Sequence, residues 1–104
     1  ACSDGLFSVR MSACKALGAF DDKAAREALG KVLVTDSNVG VRTEAARALG
    51  ASKSKASVPF LVPGLKDESF AVKNAVADAL REATGADLGP DFPAWESWQK
   101  KNLR

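Results

Sequence analysis

The chain has no histidine, two cysteines and one methionine in 104 residues. Without histidine, neither a Ser/His/Asp nor a Cys/His nucleophilic arrangement can be assembled. Two cysteines do not make a zinc ligand set within the chain. Cys2 and Cys14 are joined by a stretch that reads mostly as helix. At about 1.5 Å per residue, that stretch holds them beyond the roughly 7 Å reach of a disulfide. Both thiols are expected to be free and mostly buried, and they leave the compartment open. No apolar run approaches the roughly 20 residues of a membrane helix, and no N-terminal signal peptide is visible. The charge is nearly balanced, 15 basic against 13 acidic side chains for a net +2. That balance points to neither nucleic acid nor membrane. No glycine-rich phosphate loop follows a strand. No cofactor, metal or catalytic residue is expected.

What is present is repetition. One phrase occurs three times: VRMSACKALG at 9–18, VRTEAARALG at 41–50 and VKNAVADALR at 72–81, with starts 32 and 31 residues apart. A fixed period of this size marks a stacked repeat array. Each phrase is apolar at offsets 0, 4, 7 and 8, in the second copy Val41, Ala45, Ala48 and Leu49. That is one helical stripe, not strand alternation. Asp4, Asp36 and Asp67 precede the phrases at a matched distance and are expected to accept from the free amides of the coming helix. Phe7, Val39 and Phe70 follow them. Gly18 and Gly50 are expected to close two of the helices in a left-handed conformation.

Two further helical stretches lie between the phrases. The first is roughly 23–34, with Ala25, Ala28, Leu29, Val32 and Leu33 inward; the second is roughly 55–66, with Val58, Leu61, Val62 and Leu65 inward. Each repeat is therefore a helix pair, an A helix followed by a phrase-bearing B helix. Gly30 weakens the first A helix. Pro59 is tolerable in a first turn, but Pro63 removes a helix hydrogen bond, so the second A helix is expected to be bent there. By period, Ala1, Cys2 and Ser3 fall where an A helix ends. The chain is therefore expected to be the C-terminal part of a longer array. Its first B helix would lack a partner, with self-association through Phe7, Ala13 and Leu17. The expected divisions are a partial repeat at 1–20, repeats at about 21–51 and 52–84, and a capping segment at 85–104. In that segment Gly85, Gly89 and Pro90 make a loop. Asp91 and Pro93 open a short helix, and Trp95 and Trp98 share one face of it.

The phrase Val-Arg-x-x-Ala-x-x-Ala-Leu-Gly, with an aspartate six residues before the arginine, resembles the HEAT repeat over about residues 4–84. The likeness is to the short bacterial type first associated with phycobilisome lyase subunits. The tail from Thr84 through Gly85, Asp87, Gly89, Asp91, Ala94 and Trp95 to Trp98 is similar to endings of bacterial HEAT-repeat proteins. The resemblance implies an all-α, HEAT-like α-solenoid of antiparallel helix pairs whose B helices line the concave surface. It also implies an Asp–Arg ladder along the array. The candidates are Asp4, Asp36 and Asp67 with Arg10, Arg42 and Lys73. Lysine lacks the planar fork of arginine, so the last rung is expected to be weaker.

Family relatives include protein-binding scaffolds, bilin lyases or chromophore chaperones, and proteins that recognise damaged DNA. The leading expectation is a non-catalytic scaffold that binds another protein on the B-helix face. A bilin lyase or chaperone subunit and a nucleic-acid-binding protein are the alternatives. Stacking puts Met11, Thr43 and Asn74 in one row and Lys15, Arg47 and Asp78 in the next. The rows are chemically mixed, which suits a protein better than a phosphate backbone. Glu27, Glu44, Asp78 and Glu82 read as solvated surface. Cys14 aligns with Ala46 and Ala77 and reads as a small core residue rather than a reactive or bilin-linking thiol. The Trp95/Trp98 pair reads as a cap over the last repeat's core, or else as an aromatic patch that grips a partner.

Overall fold

The computed structural model describes residues 4–19, 22–51 and 55–102, with side chains from Val9 onward. Cys2 and the side chains of Asp4 and Phe7 lie outside the described residues. The elements in order are α1 (Asp4–Gly18), α2 (Lys23–Thr35), α3 (Val39–Ala51), α4 (Val58–Leu61), α5 (Phe70–Thr84) and α6 (Phe92–Asn102). Two 3-10 turns, Lys55–Ser57 and Val62–Lys66, flank α4. No strand occurs among the described residues. The phrase-bearing helices α1, α3 and α5 stack side by side. A second layer, α2 and then α4 with its 3-10 turns, packs behind them. The result is an all-α, HEAT-like solenoid of helix pairs.

The apolar stripes explain the layering. Val41, Ala45, Ala48 and Leu49 on α3 are buried, as are Val72, Val76, Ala79 and Leu80 on α5. They meet Leu29 and Leu33 of α2 and the buried Val58, Leu61, Val62 and Leu65. Each large aliphatic side chain withdrawn from water in this way contributes about 1.5–3 kcal/mol. The first copy differs. Val9 is 64% exposed, Ala13 and Ala16 are exposed, and Leu17 is half-buried. Cys14 is buried against α3, and its burial, followed by the charges of Glu44 and Asp36, pushes the thiol pKa upward. Such a thiol is a core residue.

Several local expectations are corrected. Asp36 and Asp67 do not cap the following helices. Each caps the C-terminal end of the A-layer segment before it and turns the chain by accepting from the amide two residues on, Asn38 at 2.9 Å and Ser69 at 2.8 Å. That frees the second carboxylate oxygen for another helix. Asn38 caps α3, its Oδ1 accepting from the Val41 amide at 3.1 Å. Ala28 is exposed, and Gly30 takes the inward place instead. Gly30 lets Phe60 pack closely, since a Cβ there would stand 3.1 Å from its ring.

Gly18 and Gly50 lie within α1 and α3 rather than in left-handed caps. A Cβ on Gly18 would meet that of Ala48 at 2.9 Å, and one on Gly50 would meet that of Ala79 at 2.7 Å. These glycines permit close helix contact. The left-handed cap is Gly85, at φ 82°, a conformation glycine adopts without steric cost.

Around Pro63 the second A-layer segment changes its winding from α-helix to 3-10 helix. Val62 keeps helical dihedrals (φ −54°, ψ −42°), but from Val62 the chain winds as a 3-10 helix. Pro63 contributes no amide to an α-helical bond. Gly64 follows, where a Cβ would lie 2.8 Å from Val76 Cγ2 and 2.9 Å from Leu33 Cδ2.

Candidate functional site

The stacking of α1, α3 and α5 is held by two kinds of residue. On each seam sits one of the glycine–alanine contacts described above. Near the helix starts sit two ion pairs. Arg10 Nε lies 2.6 Å from Asp36 Oδ2, and Arg10 Nη2 lies 3.2 Å from Asp36 Oδ1. Arg42 Nε stands 2.8 Å from Asp67 Oδ2. That N–H has no well-aligned acceptor, and the hydrogen bond of the second pair comes from Arg42 Nη2, which donates to Asp67 Oδ1 at 3.4 Å. Arg42 Nη1 also donates to the Asp36 carbonyl at 2.6 Å. The ladder therefore joins each arginine to the aspartate of the following repeat.

Burial raises the Asp36 pKa. The Arg10 hydrogen bond, the Asn38 amide and the Arg10 and Arg42 charges outweigh it and hold the carboxyl below its ordinary value. Lys73 has no ion-pair partner among the described residues. The expected weak third rung is absent there, because the partner it calls for would be an aspartate one repeat further on, and α6 follows instead.

The outer face of the stack carries two grooves, one per seam. The first, about 380 Å³, lies between α1 and α3, with Lys15, Glu44 and Arg47 on its rims and Gly18, Ala48 and Ala51 beneath. The second, about 400 Å³, lies between α3 and α5. Thr43, Arg47, Asn74, Asp78 and Glu82 line its rims over Gly50, Ala75 and Ala79. Arg47 and Ala51 belong to both, and no residue of the A layer lines either. The small residues that bring the helices together thus leave shallow apolar troughs above the contact. Lys15, Glu44, Arg47 and Glu82 have no ion-pair partner among the described residues. Asp78 has a loose exposed contact with Arg81 at 3.6 Å.

Of the six residues in the two sequence rows, five line a groove: Lys15, Thr43, Arg47, Asn74 and Asp78. Met11 lines neither groove. It is half-buried and packs partly against the core. Glu44 and Glu82, read from sequence only as solvated surface, are rim residues. Their signal was their spacing, Glu44 three residues before Arg47 and Glu82 four after Asp78.

At the end of the stack, α6 packs on Val62–Lys66. Asp91 caps it by accepting from the Ala94 amide at 3.3 Å. Trp95 is fully buried in the core, its indole N–H donating to the Gly89 carbonyl at 2.8 Å. Trp98 is half-buried and meets Trp95 edge to face at 5.7 Å. Among the described residues there is no cluster of ligands for a metal, and no helix is long and apolar enough to cross a membrane.

The family model for HEAT repeats matches residues 1–84. No curated protein and no solved structure matches the chain. HEAT repeats generally mediate protein–protein interactions and are typically non-catalytic scaffolds. The period, the paired helix layers and the matched residues lead to one assignment: this chain belongs to the HEAT repeat family.

Proposed function

We propose that this chain is a non-catalytic protein-interaction scaffold that binds its partner on the outer face of α1, α3 and α5. The carrying observation is the pair of adjacent grooves with apolar floors and rims on which Lys15, Glu44, Arg47 and Glu82 have no ion-pair partner among the described residues. Open troughs with exposed charges suit recognition. Catalysis calls for buried, convergent groups. The mixture of Lys15 and Arg47 with Glu44, Asp78 and Glu82 favours a protein over a phosphate backbone, which would want basic residues in register. In the same reading, residues 85–104 form a cap, and Trp95 seals the last repeat.

A capture experiment tests this. The chain and its double variant Arg47→Glu, Asn74→Glu, both exposed groove positions, are used as bait in a lysate of the source cells, with bound proteins identified by mass spectrometry. A partner retained by the parent chain and lost by the variant supports the reading. Equal retention by both moves the binding surface elsewhere on the molecule.

A further inference from the structure

The two grooves constrain the shape of what they hold. They straddle α3, so their centres are separated by one helix-to-helix step, about 8–10 Å. An extended polyproline-II segment has three residues per turn and presents the same face every 9 Å or so. Its side chains at i and i+3 therefore drop into successive grooves, while i+1 and i+2 point away from Arg47 on the ridge between. A helix fits less well. Its i and i+3 side chains lie only about 5–6 Å apart, too close to reach both grooves. Its i and i+7 side chains span the step, but those at i+3 and i+4 then land on the exposed Arg47. The floors, Ala48 and Ala51 in one groove and Ala75 and Ala79 in the other, accept apolar side chains.

The rims add polarity. The α1 side carries Lys15, the ridge of α3 carries Glu44 and Arg47, whose charges offset each other, and the α5 side carries Asp78 and Glu82. We propose that the B-helix face takes an extended, polyproline-II segment of a partner protein. Two apolar side chains at i and i+3 sit astride α3, acidic residues lie over the Lys15 side and basic residues over the Asp78 side. This rests on the B face being the partner-binding surface and adds the conformation and charge order of what binds.

The test uses the full chain and three fluorescein-labelled synthetic peptides, read by fluorescence polarisation at low salt. The first has two acidic residues, then Leu-Pro-Pro-Leu-Pro, then two basic residues. The second keeps this centre but is acidic at both ends. The third has the first peptide's charged ends on an alanine-rich helix with leucines at i and i+7. The expected result is binding of the first peptide, about fivefold tighter than the second, with salt erasing the difference. Ala51→Glu puts a charge into both grooves and weakens the first peptide by about tenfold or more. The double variant Asp78→Lys, Glu82→Lys, altered only at exposed rim positions, inverts the preference toward the doubly acidic peptide.

Circular dichroism confirms that each variant retains its helices. Tighter binding of the helical peptide, lost in Ala51→Glu, overturns the extended segment while leaving the B-face reading intact. No binding of the first peptide, or binding that neither variant changes, also overturns it. The capture experiment then judges the B face separately.

Discussion

The first two B helices and the third carry the same phrase but meet different neighbours on the side toward the following repeat. On α1 and α3 the phrase ends in Gly18 and Gly50, each pressed against an alanine of the next B helix. On α5 the same position is Arg81, which is exposed. The second residue of the phrase follows the same rule. Arg10 and Arg42 each have an aspartate from the following repeat, whereas Lys73 has none among the described residues. Both departures of the third copy thus fall at positions whose job is to receive another repeat. Beyond α5 no further B helix follows among the described residues; α6 packs on Val62–Lys66 instead, with the Trp95 indole N–H donating to the Gly89 carbonyl. In this array, side chains facing a neighbouring repeat are constrained by it, and those without one are released.

The largest expected effect breaks the closure at the end. Trp95→Ala should cost about 3–5 kcal/mol in urea unfolding, because a fully buried indole leaves a cavity. Half-buried Trp98→Ala should cost distinctly less. A loss no greater at Trp95 than at Trp98 would show that the end is not sealed as described.

Gly50→Leu tests the seam directly. Its side chain must displace the Ala79 backbone, whose Cα lies 2.8 Å from the first added carbon. Overpacking of this kind costs about 1–3 kcal/mol, while Arg81→Leu at the matched position should stay within about 0.5 kcal/mol. Equal penalties would break the comparison.

The ladder sharpens it further. Arg42→Ala should destabilise by about 1–3 kcal/mol, the range for a charged hydrogen-bonding group left without its partner. Lys73→Ala should be nearly neutral. Calorimetric melting of both variants distinguishes the outcomes.

The smallest expected effect is in pH. Asp36 has a folded-state pKa below its ordinary value, which is about 3.9 in an unfolded chain. Its stabilisation is therefore fully present above that value and fades as pH falls toward the folded-state pKa. Asp36→Asn should flatten that part of the stability curve. A variant as acid-sensitive as the parent would assign the loss to other carboxylates.

The helix pairs, their order and the inward stripes of α3 and α5 were legible because one period repeats. Val41 and Val72, Leu49 and Leu80 report the same environment at matched positions. The role of Gly18 and Gly50 was misread, because a glycine after an apolar run signals a helix end equally well. Only the distance to Ala48 or Ala79 separates the two explanations. Asp36 and Asp67 were likewise placed at the right turns but do not cap the coming helices, since one carboxylate serves the turn and a neighbouring helix at once. Of the candidate site, the rows through Lys15, Arg47 and Asp78 followed from the period. The rim positions of Glu44 and Glu82 did not, because Glu44 aligns with the uncharged Ser12 and Ala75, and Glu82 lies just past the third phrase.

By itself the sequence determined the repeat, the helix layers and the family, because periodic burial is written directly into periodic apolarity. Tertiary structure alone decided which repeat each arginine pairs with, which glycines are contacts and where the grooves run. Those depend on distances of a few ångströms between residues about thirty positions apart, and no local pattern encodes them.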